Sequence, residues 1–219
     1  MKITIVYDNE VKQPGLKADW GFSCIIEAQD APQILFDAGA DGSILLHNMR
    51  KLKFDPGAID IVVISHPHWD HFGGLQDIME ATRDAELYVP ESFGRGISAR
   101  KVTRIKGAFQ IRKNIFSTGE LQGIEQSLAI NTDKGIMVIA GCSHPGVGNI
   151  LDAASRFGKI YGIAGGFHGF YDLDRLSPLS LICPCHCTQY KSEIKHLFQD
   201  RCLDCGAGLV IELGDATYG

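Results

Sequence analysis

Apolar and polar residues alternate at the start of the chain, where Ile3, Ile5 and Tyr7 share one face of an extended segment and Lys2, Thr4 and Val6 the other. That pattern predicts a strand over residues 1–7. After a loop marked by Pro14-Gly15, two more strands are predicted at 22–28 and 33–36, around a turn at 29–32. The period then becomes helical over 43–52, with Ile44, Leu45, Leu46, Met49 and Leu52 in phase, Ser43 as N-cap and His47 at a surface or packing position. Residues 59–64 are rich in β-branched side chains and read as a short buried strand that Pro67 ends. Further on, helices are predicted at 74–82, 149–157 and 191–198, strands at 86–89, 159–164, 179–183 and 209–213, and a hairpin of 127–131 with 134–140. Strand and helix alternate throughout, as a layered α+β sandwich requires.

Composition adds limits. A chain of 219 residues, 45% hydrophobic and 21% charged, can bury one sizeable core, so a single domain over 1–219 is expected. No apolar run is long enough to cross a bilayer, and the first strand passes straight into Asp8-Asn9-Glu10 instead of a signal peptide. A cytoplasmic protein without a membrane partner is expected. The net charge of −5 disfavours non-specific binding to nucleic acid. One segment runs against this balance: residues 92–119 contain no acid but hold Arg95, Arg100, Lys101, Arg104, Lys106, Arg112 and Lys113. It reads either as a solvated face or as a lid that meets an anionic substrate, with Arg100, Lys101 and Arg104 as the contacts.

Seven cysteines, an odd number, argue against a secreted disulfide framework. Cys183, Cys185, Cys187, Cys202 and Cys205 crowd the end of the chain, in a spacing that suits a structural zinc or iron–sulfur site. Their alternative is a set of small, buried, reduced thiols.

The chemistry centres on Ser65-His66-Pro67-His68-Trp69-Asp70-His71-Phe72-Gly73-Gly74, which places three imidazoles and a carboxylate on the turn after a buried strand. Imidazole and carboxylate suit zinc, and also iron or manganese. His66 and His68 can chelate one ion, leaving Asp70 and His71 to turn towards a second. This stretch resembles the signature of the metallo-β-lactamase superfamily. Gly141-Cys142-Ser143-His144-Pro145-Gly146, Gly165-Gly166-Phe167-His168 and Cys185-His186-Cys187-Thr188 are similar, more closely, to a branch that includes a dihydropterin phosphate synthase.

The resemblance implies an αββα sandwich with a metal centre at one edge. His66, His68 and His144 would hold one divalent ion and Asp70, His71 and His186 the other, with a bridging hydroxide as nucleophile. Cys142 competes with His144, because it falls where many family members have a bridging aspartate. Asp70 could also orient the hydroxide, and His168 could serve as acid, ligand or substrate contact. Asp37 resembles an aspartate that supports the metal loop. Ala38, where the family has Thr or Ser, and Gln189, where the branch has glycine, depart from the pattern. The expected activity is hydrolysis of a phosphoester or another small anionic substrate. A pterin-forming cyclase or phosphate synthase at the same site, and a redox or metal-binding module built on the late cysteines, are the alternatives.

Overall fold

Most strands carry apolar residues on both faces, so both faces must be covered, and two stacked sheets with helices outside them achieve this. A computed structural model of the chain describes every residue except 29, 30, 83, 95, 97, 98, 100 and 216–219. Among the described residues, β1 (Lys2–Tyr7), β2 (Ser23–Glu27), β3 (Ile34–Phe36), β4 (Ile61–Val63), β5 (Glu86–Pro90) and β6 (Val102–Ile105) lie side by side in the first sheet. The second runs from β7 (Phe109–Arg112) through β8 (Ile115–Ser117), β9 (Leu128–Thr132), β10 (Gly135–Ala140) and β11 (Ile160–Gly166) to β12 (Leu181–Cys185). A last strand, β13 (Val210–Glu212), returns to the first sheet beside β1.

Alternation along each strand sorts its side chains between layers. Phe36 and Val63 point between the sheets to meet Leu128 and Ile139, whereas Leu35 and Val62 face outward onto Leu45, Met49 and Ile78. Those three come from α1 (Gly42–Lys51) and α3 (Leu75–Ala81), on either side of the short α2 (Trp69–Phe72). On the opposite face, Val138, Ile163 and Ile182 pack against α4 (Val147–Ser155) and α5 (Lys191–Phe198). The αββα sandwich expected from sequence is the observed architecture.

Local chemistry departs from expectation at three places. Asp41, not Ser43, caps α1, its Oδ1 accepting from the Ser43 amide at 2.7 Å and the Ile44 amide at 3.4 Å. Tyr7 does not share a face with Ile3 and Ile5, because a register shift between Ile5 and Tyr7 turns it into the helical layer. The basic segment is not a lid over its described length: it supplies β6 to one sheet, then β7 and β8 to the other, so it joins the layers.

Direction matters more than order for the site. β3 to β6 run parallel, β10 to β12 run parallel, and two antiparallel steps bring β1 into line with β3. The turns after β1, β3, β4, β10, β11 and β12 therefore converge on one edge. Glu125 and Gln126 stitch that edge across the sheets. Glu125 is fully buried; its Oε1 accepts from the amides of Gly141, Cys142 and Ser143 (3.1, 3.1 and 2.9 Å) and its Oε2 from that of His144 (2.8 Å). Burial pushes this carboxyl upward, and the amide donors work against that rise. Gln126 reaches the other sheet, donating from Nε2 to the Ile64 carbonyl at 2.9 Å and from its amide to the Ser65 carbonyl at 2.9 Å.

Glu125→Ala strands four buried amides and is expected to cost at least ~3 kcal/mol in urea unfolding, with Glu125→Gln falling between it and wild type. A Glu125→Ala protein within ~0.5 kcal/mol of wild type contradicts this role.

Candidate metal centre

At the end of β4 the chain passes through Ser65 and His66 to Pro67, which blocks further pairing, and then turns into α2. This short helix buries Asp70 and His71 and leaves His68 and Trp69 exposed. The loop after β10 brings Cys142, Ser143 and His144 opposite them; β11 and β12 end in His168 and His186. Asp37, Ser143, His168 and His186 have φ of 59°, 60°, 47° and 42°, a left-handed conformation that costs energy in non-glycine residues. Four such residues stand at four strand ends of one edge. Gly141 is required for contact: a Cβ there would collide with the Ser65 hydroxyl and stand 3.1 Å from His66 Nδ1.

Hydrogen bonds fix which nitrogen each imidazole turns inward. The Asp37 carboxylate, wholly buried, accepts from the Ser65 amide, the Ser65 hydroxyl and His71 Nδ1, each at 2.7 Å. Because the Ser65 proton is given to Asp37, its oxygen accepts from His66 Nδ1 at 2.8 Å. His186 Nδ1 donates to Asn9 Oδ1 at 2.9 Å, and Asn9 Nδ2 returns a bond to the His186 carbonyl at 3.0 Å. All three rings thus present Nε2 to the site, the arrangement by which outer groups orient metal-ligating histidines. His66 Nε2 and His144 Nε2 are buried without a hydrogen-bond partner, a costly state that an ion would relieve.

The donor atoms fall into two groups. Asp70, His71, Cys142 and His186 offer atoms all within 4.8 Å of one another, and so do His66, Cys142 and His144. Cys142 belongs to both, its sulfur 3.1 Å from His71 Nε2. Cys142 and His144 therefore lie within one group of mutually close donor atoms. His68 lies outside the tight groups, although its ring is 4.6 Å from those of both His66 and His144. Asp70 Oδ2 stands 3.1 Å from His186 Nε2 and accepts from Trp20 Nε1 at 3.0 Å. Burial opposes its ionisation, but His186 and His71 pull its pKa to about 2. Burial, reinforced by the neighbouring rings, lowers His66 and brings His144 to about 4, so both are neutral and able to ligate at physiological pH.

His168 is exposed beside His144, their rings 5.1 Å apart, and both line a cavity of ≈ 430 Å³ with Ser143, Gly146, Phe170 and Tyr171. The expected anion contact Lys101 lies away from this cavity. Lys101 precedes β6 and pairs with Glu86 at 2.8 Å, at the starting end of parallel strands whose other end carries the metal loop. Arg104 bonds the carbonyls of Glu91 and Phe93, and Arg100 lies outside the described residues. Sequence reasoning missed Asn9, Trp20 and Glu125. Asn9 had a positional signal, as a polar residue just after the first strand; Glu125 had none.

Comparison with known proteins agrees with this geometry. The model of the metallo-β-lactamase superfamily matches residues 21–134. The 7,8-dihydropterin-6-methyl-4-(β-D-ribofuranosyl)-aminobenzene-5'-phosphate synthase of Methanocaldococcus jannaschii is 26% identical, over 79% of this chain and 82% of its own. An uncharacterized protein of the same archaeon is 30% identical over 88% of this chain and 93% of its own. Among solved structures, Tm1679, described as a metal-dependent hydrolase of the β-lactamase superfamily, superposes with a TM-score of 0.81 at 27% identity, covering 98% of this chain and all of that one. With the signature on a turn at the edge of an αββα sandwich, and a family model spanning more than half its length, the chain belongs to the metallo-β-lactamase superfamily.

Proposed function

We propose that the protein is a metal-dependent hydrolase with a dinuclear centre, acting on a small anionic ester, a phosphoester before a lactone or other acyl compound. The observation that carries this reading is the Cys142 sulfur, common to two groups of mutually close donors. Asp70, His71, Cys142 and His186 would hold one divalent ion; His66 and His144, with Cys142 and with His68 at the open side, would hold the other. The mixture of imidazole, carboxylate and thiol favours zinc and leaves iron possible, whereas manganese fits a thiol poorly. Ions bound there would supply Lewis acidity and acidify water to give a nucleophile near neutral pH.

The chain's own groups do the rest. Asp37, Ser65 and Asn9 hold the imidazoles by their outer nitrogens, and Trp20 holds Asp70. His168, exposed on the cavity wall, would donate a proton to a leaving group. Phe170 and Tyr171 form an aromatic side to the same cavity, and Gly146 brings the start of α4 to it. Lys101 has no part in this arrangement, since it sits at the far end of the sheet.

A second reading draws on the relative named as a phosphate synthase: a pterin-forming reaction at the same centre. A purine or pterin substrate whose ultraviolet spectrum changes on turnover favours this second reading; a phosphoester or lactone hydrolysed without such a change favours the first. A cytoplasmic setting belongs to the same proposal. Among the described residues no helix is long and apolar enough to cross a membrane.

Removing metal with a chelator is expected to abolish hydrolysis, and adding zinc to restore it. Cys142→Ser removes a donor from both groups, so it is expected to lower turnover at least ~100-fold and to weaken both ions in chelator competition. Unchanged metal retention in Cys142→Ser would contradict the shared-donor assignment. Asp37→Ala, which frees His71 and Ser65, is expected to weaken metal binding about 10–100-fold with the donor set intact.

A further inference from the structure

A second set of thiols lies on β12 and the segment beside it. Cys183 and Cys185 are two residues apart on β12 and so project from the same face. Segment 202–205 lies alongside, Cys202 bridging to Ile182 and the Leu203 amide donating to the Ile182 carbonyl at 2.8 Å. Cys205 of that segment thereby meets the Cys-x-Cys of the strand, while Cys202, paired with Ile182, packs on the opposite face. The sulfurs of Cys183, Cys185 and Cys205 all lie within 4.8 Å of one another, and all three residues are buried.

Cys185 and Cys205 are joined as a disulfide, so the expectation of reduced thiols fails for this pair. A disulfide requires only two cysteines, and here a third thiol stands 3.8 Å from Cys185 Sγ. Sulfurs held at about 2.3 Å around a tetrahedral ion lie about 3.8 Å apart, so that separation suits a shared ion. Half-buried Cys202 and Cys205 line a cavity of ≈ 230 Å³ that also carries Lys191 and Lys195. The cavity gives an ion a way in; its two ammonium groups are paired with carboxylates of the same wall, Lys191 with Glu10 at 3.6 Å and Lys195 with Asp204 at 2.7 Å. Asp8, fully buried, places Oδ2 3.5 Å from Cys205 Sγ and accepts from the His186 amide at 2.8 Å through the same oxygen.

We propose that the reduced chain binds one thiophilic divalent ion, zinc or a similar metal, through Cys183, Cys185 and Cys205. The site fastens the C-terminal segment to β12 behind His186. It is separate from the histidine centre and shares no donor with it. Entry requires a dithiol reductant: the Cys185–Cys205 bond breaks, each sulfur gains one electron and one proton, and the reductant closes to its own disulfide. Binding of the ion then displaces the thiol protons.

The test compares wild type reduced with a dithiol under nitrogen against wild type left oxidised, both desalted, loaded with zinc and assayed for metal by mass spectrometry. Cobalt loading reports sulfur ligation through charge-transfer absorption. Reduced protein is expected to hold about one ion more per chain and to protect its late thiols from alkylation, as a structural thiolate site does. Cys183→Ser and Cys205→Ser are expected to lose that ion while keeping the metal of the histidine centre, and Cys202→Ser, on the other face of β12, to keep both. Cys205 lies on a loop, so its variant decides the matter if Cys183→Ser does not fold. Equal metal in reduced and oxidised protein, or an extra ion that survives Cys205→Ser without thiol protection, overturns the proposal and leaves a disulfide alone.

Discussion

The Asp37 carboxylate is the interaction on which the site depends. A buried carboxylate is tolerable only if donors surround it, and here the donors are the Ser65 amide, the Ser65 hydroxyl and His71 Nδ1. Satisfying that charge therefore aims two imidazoles at once: His71 directly, and His66 through the serine oxygen. Glu125 does the same for the opposite loop, with backbone amides as its donors. Two buried charges, one in each half of the edge, convert the cost of burial into fixed ligand geometry.

The strands supply position and the carboxylates supply orientation. Parallel strands end together, so turns distant in sequence become neighbours, and Asp37, Ser143, His168 and His186 are held left-handed at those turns. Cys142 occupies the point where the two halves meet, in contact with His71 from the first and alongside His144 from its own loop. A thiol at that point changes the electronic setting of the centre relative to an all-oxygen and nitrogen one, because thiolate is the softer donor.

Much of the fold was legible because long apolar elements declare themselves. The run from 59 to 64, the 134–140 strand and the 43–52 helix each appear within a few residues of expectation. Tyr7 was misplaced because a bulge breaks a strict two-residue period, and the basic segment resisted because β6 to β8 are short strands whose pairing is non-local. At the site, residues clustered in sequence announced themselves as possible ligands. Asn9, Trp20 and Glu125 did not, since their roles exist only once strands β1, β4, β10 and β12 have been brought together. The charge run that suggested anion contacts proved ambiguous for a related reason: sequence gives the sign of a segment, while the sheet decides which end of it Lys101 occupies.

The most direct test of the central claim is an anomalous-diffraction map from crystals of zinc-loaded protein, collected on both sides of the zinc edge. The account predicts two peaks flanking the Cys142 sulfur, one towards His71 and His186 and one towards His66 and His144, with that sulfur within bonding distance of both, about 2.3 Å. A single peak bound only by imidazoles, with the Cys142 sulfur turned away, would contradict it.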